Sequence, residues 1–133
     1  MLDENDRDIE QGFTYEICAG LIDKEKPVLQ ICKEEILEEC GYCVPEPEIK
    51  PISSYISSAG KSGAVNHMFA AKVDESMRSG GGGGLAAEGE AIEVLALPRR
   101  SSEAFLADAS LPKSAGAVAA ISWALLSLER GSW

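Results

Sequence analysis

At 133 residues the chain is long enough for one domain with a core of its own and too short for a second. Twenty-two acidic against twelve basic side chains give a formal charge of −10, which repels an extended phosphate backbone and argues against nucleic acid as a partner. A small phosphorylated ligand stays compatible with that charge wherever a divalent cation supplies positive charge locally.

Residues 1–12, MLDENDRDIEQG, are mostly charged and cannot offset their own ordering entropy, so they are expected to be a loop or a disordered start. A domain over 13–130 follows. Phe13 to Cys18 alternates apolar and polar side chains as a strand does, and it delivers Ala19 and Gly20 at its end. Asp23 to Pro27 reads as a charged loop, and Pro27 suits the first turn of a helix that runs to about Cys40 before Gly41 closes it. At 100° per residue Leu29, Cys32, Ile36 and Cys40 form the helix's apolar face, while Glu35, Glu38 and Glu39 share the opposite sector. Three crowded carboxylates either form a solvated face or gather a hard divalent cation. Cys18, Cys32, Cys40 and Cys43 are expected to be core thiols of a reducing, cytoplasmic compartment. Zinc is not expected, since Cys40 and Cys43 lack a second ligand pair and His67 is the only histidine.

Prolines 45, 47 and 51 punctuate a linker, and strands are expected at 52–58 and 67–73, joined as a hairpin by SSAGKSGAVN. In that turn Gly60, Lys61 and Ser62 could present backbone N–H groups and one ammonium to a phosphate; without the phosphate-loop spacing they equally suit an ordinary turn. His67 reads as a strand residue. Five consecutive glycines within residues 76–90 predict a mobile loop, either a plain connector or a lid, carrying Glu88 and Glu90 and leading into a strand over 91–97. A helix over 101–108 and another over about 114–128, packing Val118, Ile121, Leu125 and Leu126, complete the chain. The last helix holds the longest apolar run and is too short to span a bilayer, so no membrane partner is expected.

From Gly20 the chain reads GLIDKEKPVLQICKEEILEECGY, which resembles the Nudix box, Gly-x5-Glu-x7-Arg-Glu-U-x-Glu-Glu-x-Gly-U with U a bulky apolar residue, without a gap. Two positions depart from it: Lys26 stands where the box has its first Glu, and Glu34 where it has Arg. Together with YEICAGLID, RSGGGGGLAAEGEAIEVLALP and LPKSAGAVAAISWALL, the pattern is similar to the UDP-sugar branch of the Nudix hydrolases, close to the ADP-ribose pyrophosphatases. The resemblance implies an α/β fold, a mixed β-sheet sandwiched between helices, with the strands ahead of the box expected to be lacking because only about twelve residues precede Phe13. It implies Mg²⁺, or Mn²⁺ in its place, held by Glu35, Glu39, Glu90 and the carbonyl of Ala19, with Glu38 assisting. Glu88 is the implied water-activating base, and the turn at Gly60, Lys61 and Ser62 faces the substrate. The implied partner is a nucleoside diphosphate sugar, UDP-glucose before ADP-ribose, in a homodimer; a nucleotide- or protein-binding module without turnover is the alternative.

Overall fold

The computed structural model describes residues 12–23 and 25–133, so the loop expected over 1–12 lies outside the described residues except for Gly12. The chain forms two compact units, one of residues 18–95 and one joining 96–133 to the segment that ends at Ile17.

In the first unit the carbonyl of Pro27 accepts from the N–H groups of Gln30 and Ile31 at 3.0 and 3.1 Å and starts α1, Val28–Glu35. The helix does not end where its α-geometry does: Ile36–Cys40 continue it as a wider π turn, closed by Gly41 at φ 79°. Ile31 is the buried residue of α1, whereas the expected apolar face of Leu29, Cys32, Ile36 and Cys40 is only half-buried. The helix is thus covered over a broader arc than one stripe, and the π turn departs from the 3.6-residue period on which that stripe was drawn. The expected hairpin is present as β1, Ile49–Ile56, antiparallel to β2, Val65–Ala71. A bulge between Pro51 and Ser53 interrupts its register, and Pro51, which has no N–H to give a ladder, sits at that irregularity. Val44, Ile49 and Met68 are buried in this unit, as is Ile31.

After β2 the Asp74 carboxylate accepts from the N–H of Ser76 at 2.8 Å, and the Ser76 hydroxyl holds the Asp74 carboxyl below its usual range. Arg78 pairs with Glu75 at 2.9 Å, donates to the hydroxyl of Tyr42 and stacks 4.5 Å from its ring centre. A backbone bridge between Tyr42 and Arg78 returns the chain to the helix end.

In the second unit Tyr15 exchanges backbone hydrogen bonds with Pro112 and Ser114, at 2.8 and 3.0 Å, and packs edge to face on Phe105. α2, Ser102–Ala107, follows a single 3-10 turn, and α3, Ala115–Glu129, is capped by the Ser114 hydroxyl accepting from the N–H of Ala117 at 3.1 Å. Both helices were expected. Ala117 and Ser127 are the buried residues of α3, while Val118 and Leu126 are 39% and 44% exposed, against expectation. A helix apolar on every side gives no periodic sign of which side faces inward.

Helix and strand are therefore mixed as expected, but among the described residues the sheet has two antiparallel strands rather than a larger mixed set. The strand expected over 13–18 makes a single bridge, Tyr15 with Lys113, and the one over 91–97 makes none. Alternation can mark a segment as strand-like; only a ladder partner makes it a strand. Ile92, Val94 and Leu95 stay partly exposed in that extended stretch.

Candidate functional site

The turn that follows Cys18 lies against the end of the helix. The N–H of Ala19 donates to Oε2 of Glu39 at 2.9 Å. At Gly20 a Cβ would stand 2.2 Å from Oε1 of Glu35, so the Glu35 carboxylate lies against the glycine and a larger residue there would push that side chain aside. Glu35 and Glu39, about one helical turn apart, consequently reach adjacent residues of one turn, Gly20 and Ala19. Beside them the hydrogen bond between the Cys18 and Cys40 thiols, together with burial, pushes Cys18 up, while the same bond draws Cys40 down against the burial that opposes it. Burial, and then the Glu35 carboxylate, raise Cys32. All four cysteines are free, and against expectation none is fully buried: Cys18, Cys32 and Cys40 are half-buried and Cys43 is exposed.

A helix end leaves carbonyls without partners. Here the glycine run supplies them: the N–H groups of Gly83 and Gly84 donate to the carbonyls of Glu39 and Glu38 at 2.9 and 3.0 Å, and those of Ser79 and Gly80 to the carbonyl of Gly41. Gly82, Gly83 and Gly84 take φ of 70°, 102° and 81°, open to glycine at little cost. A Cβ at Gly82 would stand 2.2 Å from the carbonyl oxygen of Glu39. The segment expected to be a free connector or lid is thus docked along its glycine run. Gly82→Ala is expected to lower stability by roughly 2 kcal/mol from backbone strain alone, more with the clash, while Gly63→Ala, which meets open space, changes little. Equal melting temperatures for the two variants would refute the docking.

Beyond Gly84 the Glu90 carboxylate turns back and accepts from the N–H of Leu85 at 2.8 Å, closing the loop on itself. Glu88 ends a 3-10 turn, Ala86–Glu88, and is exposed. The hairpin turn is less available than expected: the N–H groups of Lys61 and Ser62 both donate to the carbonyl of Ser58, at 3.1 and 2.9 Å. What Lys61 can offer a phosphate is its ammonium.

The structure thus brings Ala19, Glu35 and Glu39 together, sets Glu38 and the glycine run on the same helix end, and leaves Glu88 in solvent. Among the described residues no three acidic, histidine or cysteine side chains are gathered closely enough to hold a cation. The donors present are carboxylate oxygens, the hard ligands Mg²⁺ prefers. Ala19 faces Glu39 through its N–H, where its carbonyl was the expected contributor. The part of Gly82–Gly84 went unread in the sequence, although a glycine run directly before the acidic loop was the available signal.

No family model matches the chain. It is 42% identical over 113 residues to the uridine diphosphate glucose pyrophosphatase NUDT14 of Bos taurus and 40% identical over 114 residues to that of Mus musculus, in each case 84% of this chain and 51% of the relative. It is 41% identical over 99 residues to a GDP-mannose pyrophosphatase of Pectobacterium atrosepticum, 74% of this chain and 49% of that protein. The chain spans about half the length of these curated relatives.

Proposed function

We propose that this chain, which belongs to the Nudix hydrolase family, carries the site of an enzyme that hydrolyses the pyrophosphate bond of a nucleoside diphosphate sugar. The favoured reaction adds water to UDP-glucose and releases UMP and glucose 1-phosphate. The observation that carries this reading is the meeting of Glu35 and Glu39 at the Ala19–Gly20 turn. The names of the relatives support a nucleotide sugar, with UDP-glucose ahead of GDP-mannose and ADP-ribose. Four free thiols support a cytoplasmic setting, and the exposed Val118, Leu126 and Leu128 of α3 support a homodimer.

Glu35 and Glu39, the two carboxylates that reach the Ala19–Gly20 turn, would hold Mg²⁺ or Mn²⁺, with Glu38 and Glu90 joining only by moving from the positions they occupy here. When bound, the ion offsets the charge that develops on the phosphate oxygens. The Ala19 N–H fixes one Glu39 oxygen and so orients the carboxylate at the turn. Glu88, exposed at its loop tip, can take a proton from the attacking water once substrate lies over it. A second reading, binding without turnover, draws on the absence of a third gathered side chain among the described residues and on Lys26 and Glu34 at their two box positions.

One assay separates the readings. UMP and glucose 1-phosphate should appear from UDP-glucose in the presence of Mg²⁺, faster than products from GDP-mannose or ADP-ribose. Calorimetric binding of UDP-glucose with no product from any of the three would establish the second reading instead.

A further inference from the structure

Lys26 and Glu34 are the two positions at which the chain departs from the box, and the structure joins them: the Lys26 ammonium lies 2.8 and 3.1 Å from the two Glu34 oxygens. The box writes an acidic residue at the first position and a basic one at the second. This chain writes the opposite at both, so what looked like two separate losses is one exchange of sign that leaves an attraction in place. The pair ties the end of the charged loop, just before Pro27, to the last turn of α1 immediately before Glu35. The start of the same loop is held by Gly20 packing on Glu35 and by the Ala19 N–H on Glu39.

We propose that Lys26 and Glu34 form a sign-reversed positioning pair that keeps the loop closed on the helix and so holds Glu35 and Glu39 in place for a divalent cation, an inference that rests on the metal-dependent reading above. Both side chains are partly exposed, at 39% and 29%, so the attraction is modest and its use lies in geometry more than in stability.

Charge and geometry make opposite predictions here. If the pair acted only through the field at the carboxylates, Lys26→Glu would add negative charge and tighten Mg²⁺ binding, while Glu34→Lys would weaken it. A positioning pair requires both single reversals to weaken binding, by roughly threefold to fivefold, and the double reversal Lys26→Glu with Glu34→Lys to restore it. Mg²⁺ titration of the four chains is the first readout. Hydrogen exchange of the Ala19 amide in metal-free protein is the second, expected to quicken in each single variant and return to the parent rate in the double one. Tighter Mg²⁺ binding by Lys26→Glu, or Ala19 exchange indifferent to it, overturns the pair. A parent chain that takes no Mg²⁺ overturns the metal reading, and the exchange rates then decide the pair without it.

Discussion

Glu39→Gln should abolish the stabilisation that Mg²⁺ gives the parent chain, and turnover with it. Gln keeps the shape of the side chain and an oxygen able to accept from the Ala19 N–H, so the turn at Gly20 should survive the substitution. What is removed is the charge. At a Mg²⁺ concentration a hundred times its dissociation constant, binding stabilises the folded state by about 2.7 kcal/mol, which for a chain of this size raises the melting temperature by about 10 °C. The variant should show none of that rise and no release of UMP above background. A parent melting temperature indifferent to Mg²⁺ would remove the metal assignment, and a variant that keeps the full rise would move it off Glu39.

The second large effect belongs to the acidic loop. Glu88→Gln is expected to lower kcat by roughly 10²- to 10⁴-fold while Mg²⁺ and UDP-glucose affinities stay near the parent values, since a general base matters in the transition state and not in the ground state. The geometry separates it from its neighbour. Glu90 is engaged in closing the loop through the Leu85 N–H, so Glu90→Gln should change loop stability and affinity before it changes kcat. Should Glu90→Gln lose kcat while Glu88→Gln keeps it, the base is Glu90. If neither changes kcat, the loop has no part in activating water.

Local chemistry made much of this legible from residues alone. Turn-forming residues between alternating runs place the β1–β2 hairpin, and a proline before an amphipathic run with a glycine after it brackets the helix of the box. Helical periodicity puts Glu35 and Glu39 on one sector and the resemblance to the box adds Ala19, and the structure brings the Ala19–Gly20 turn to both carboxylates. What stayed illegible depends on neighbours distant in sequence. Phe13–Cys18 and Ala91–Leu97 carry a strand's alternation, but alternation cannot state whether a ladder partner is present. The π turn at Ile36–Cys40 leaves no mark in a pattern read at 3.6 residues per turn. Glycine is chosen both for freedom and for close approach, so five in a row could not distinguish a swinging connector from a segment docked on carbonyls.

The docked glycines tie two parts of the chain into one cooperative opening unit. Because the amides of Ser79, Gly80, Gly83 and Gly84 close on the carbonyls of Glu38, Glu39 and Gly41, neither partner can be freed without the other, and their protection against exchange should rise and fall together. The carboxylates of the helix end and the start of the acidic loop therefore travel as a single body. Whatever closure accompanies substrate is then confined to the loop between Gly83 and Ile92, whose ends are joined by the Ile92 N–H donating to the Gly83 carbonyl at 3.2 Å and whose backbone is held within by the 3-10 turn and the bonds between Glu90 and Leu85. Lengthening the chain by one glycine between Gly84 and Leu85 would change the reach of Glu88 and leave the helix end untouched, whereas the same insertion between Gly82 and Gly83 would shift the register of every bond beneath it.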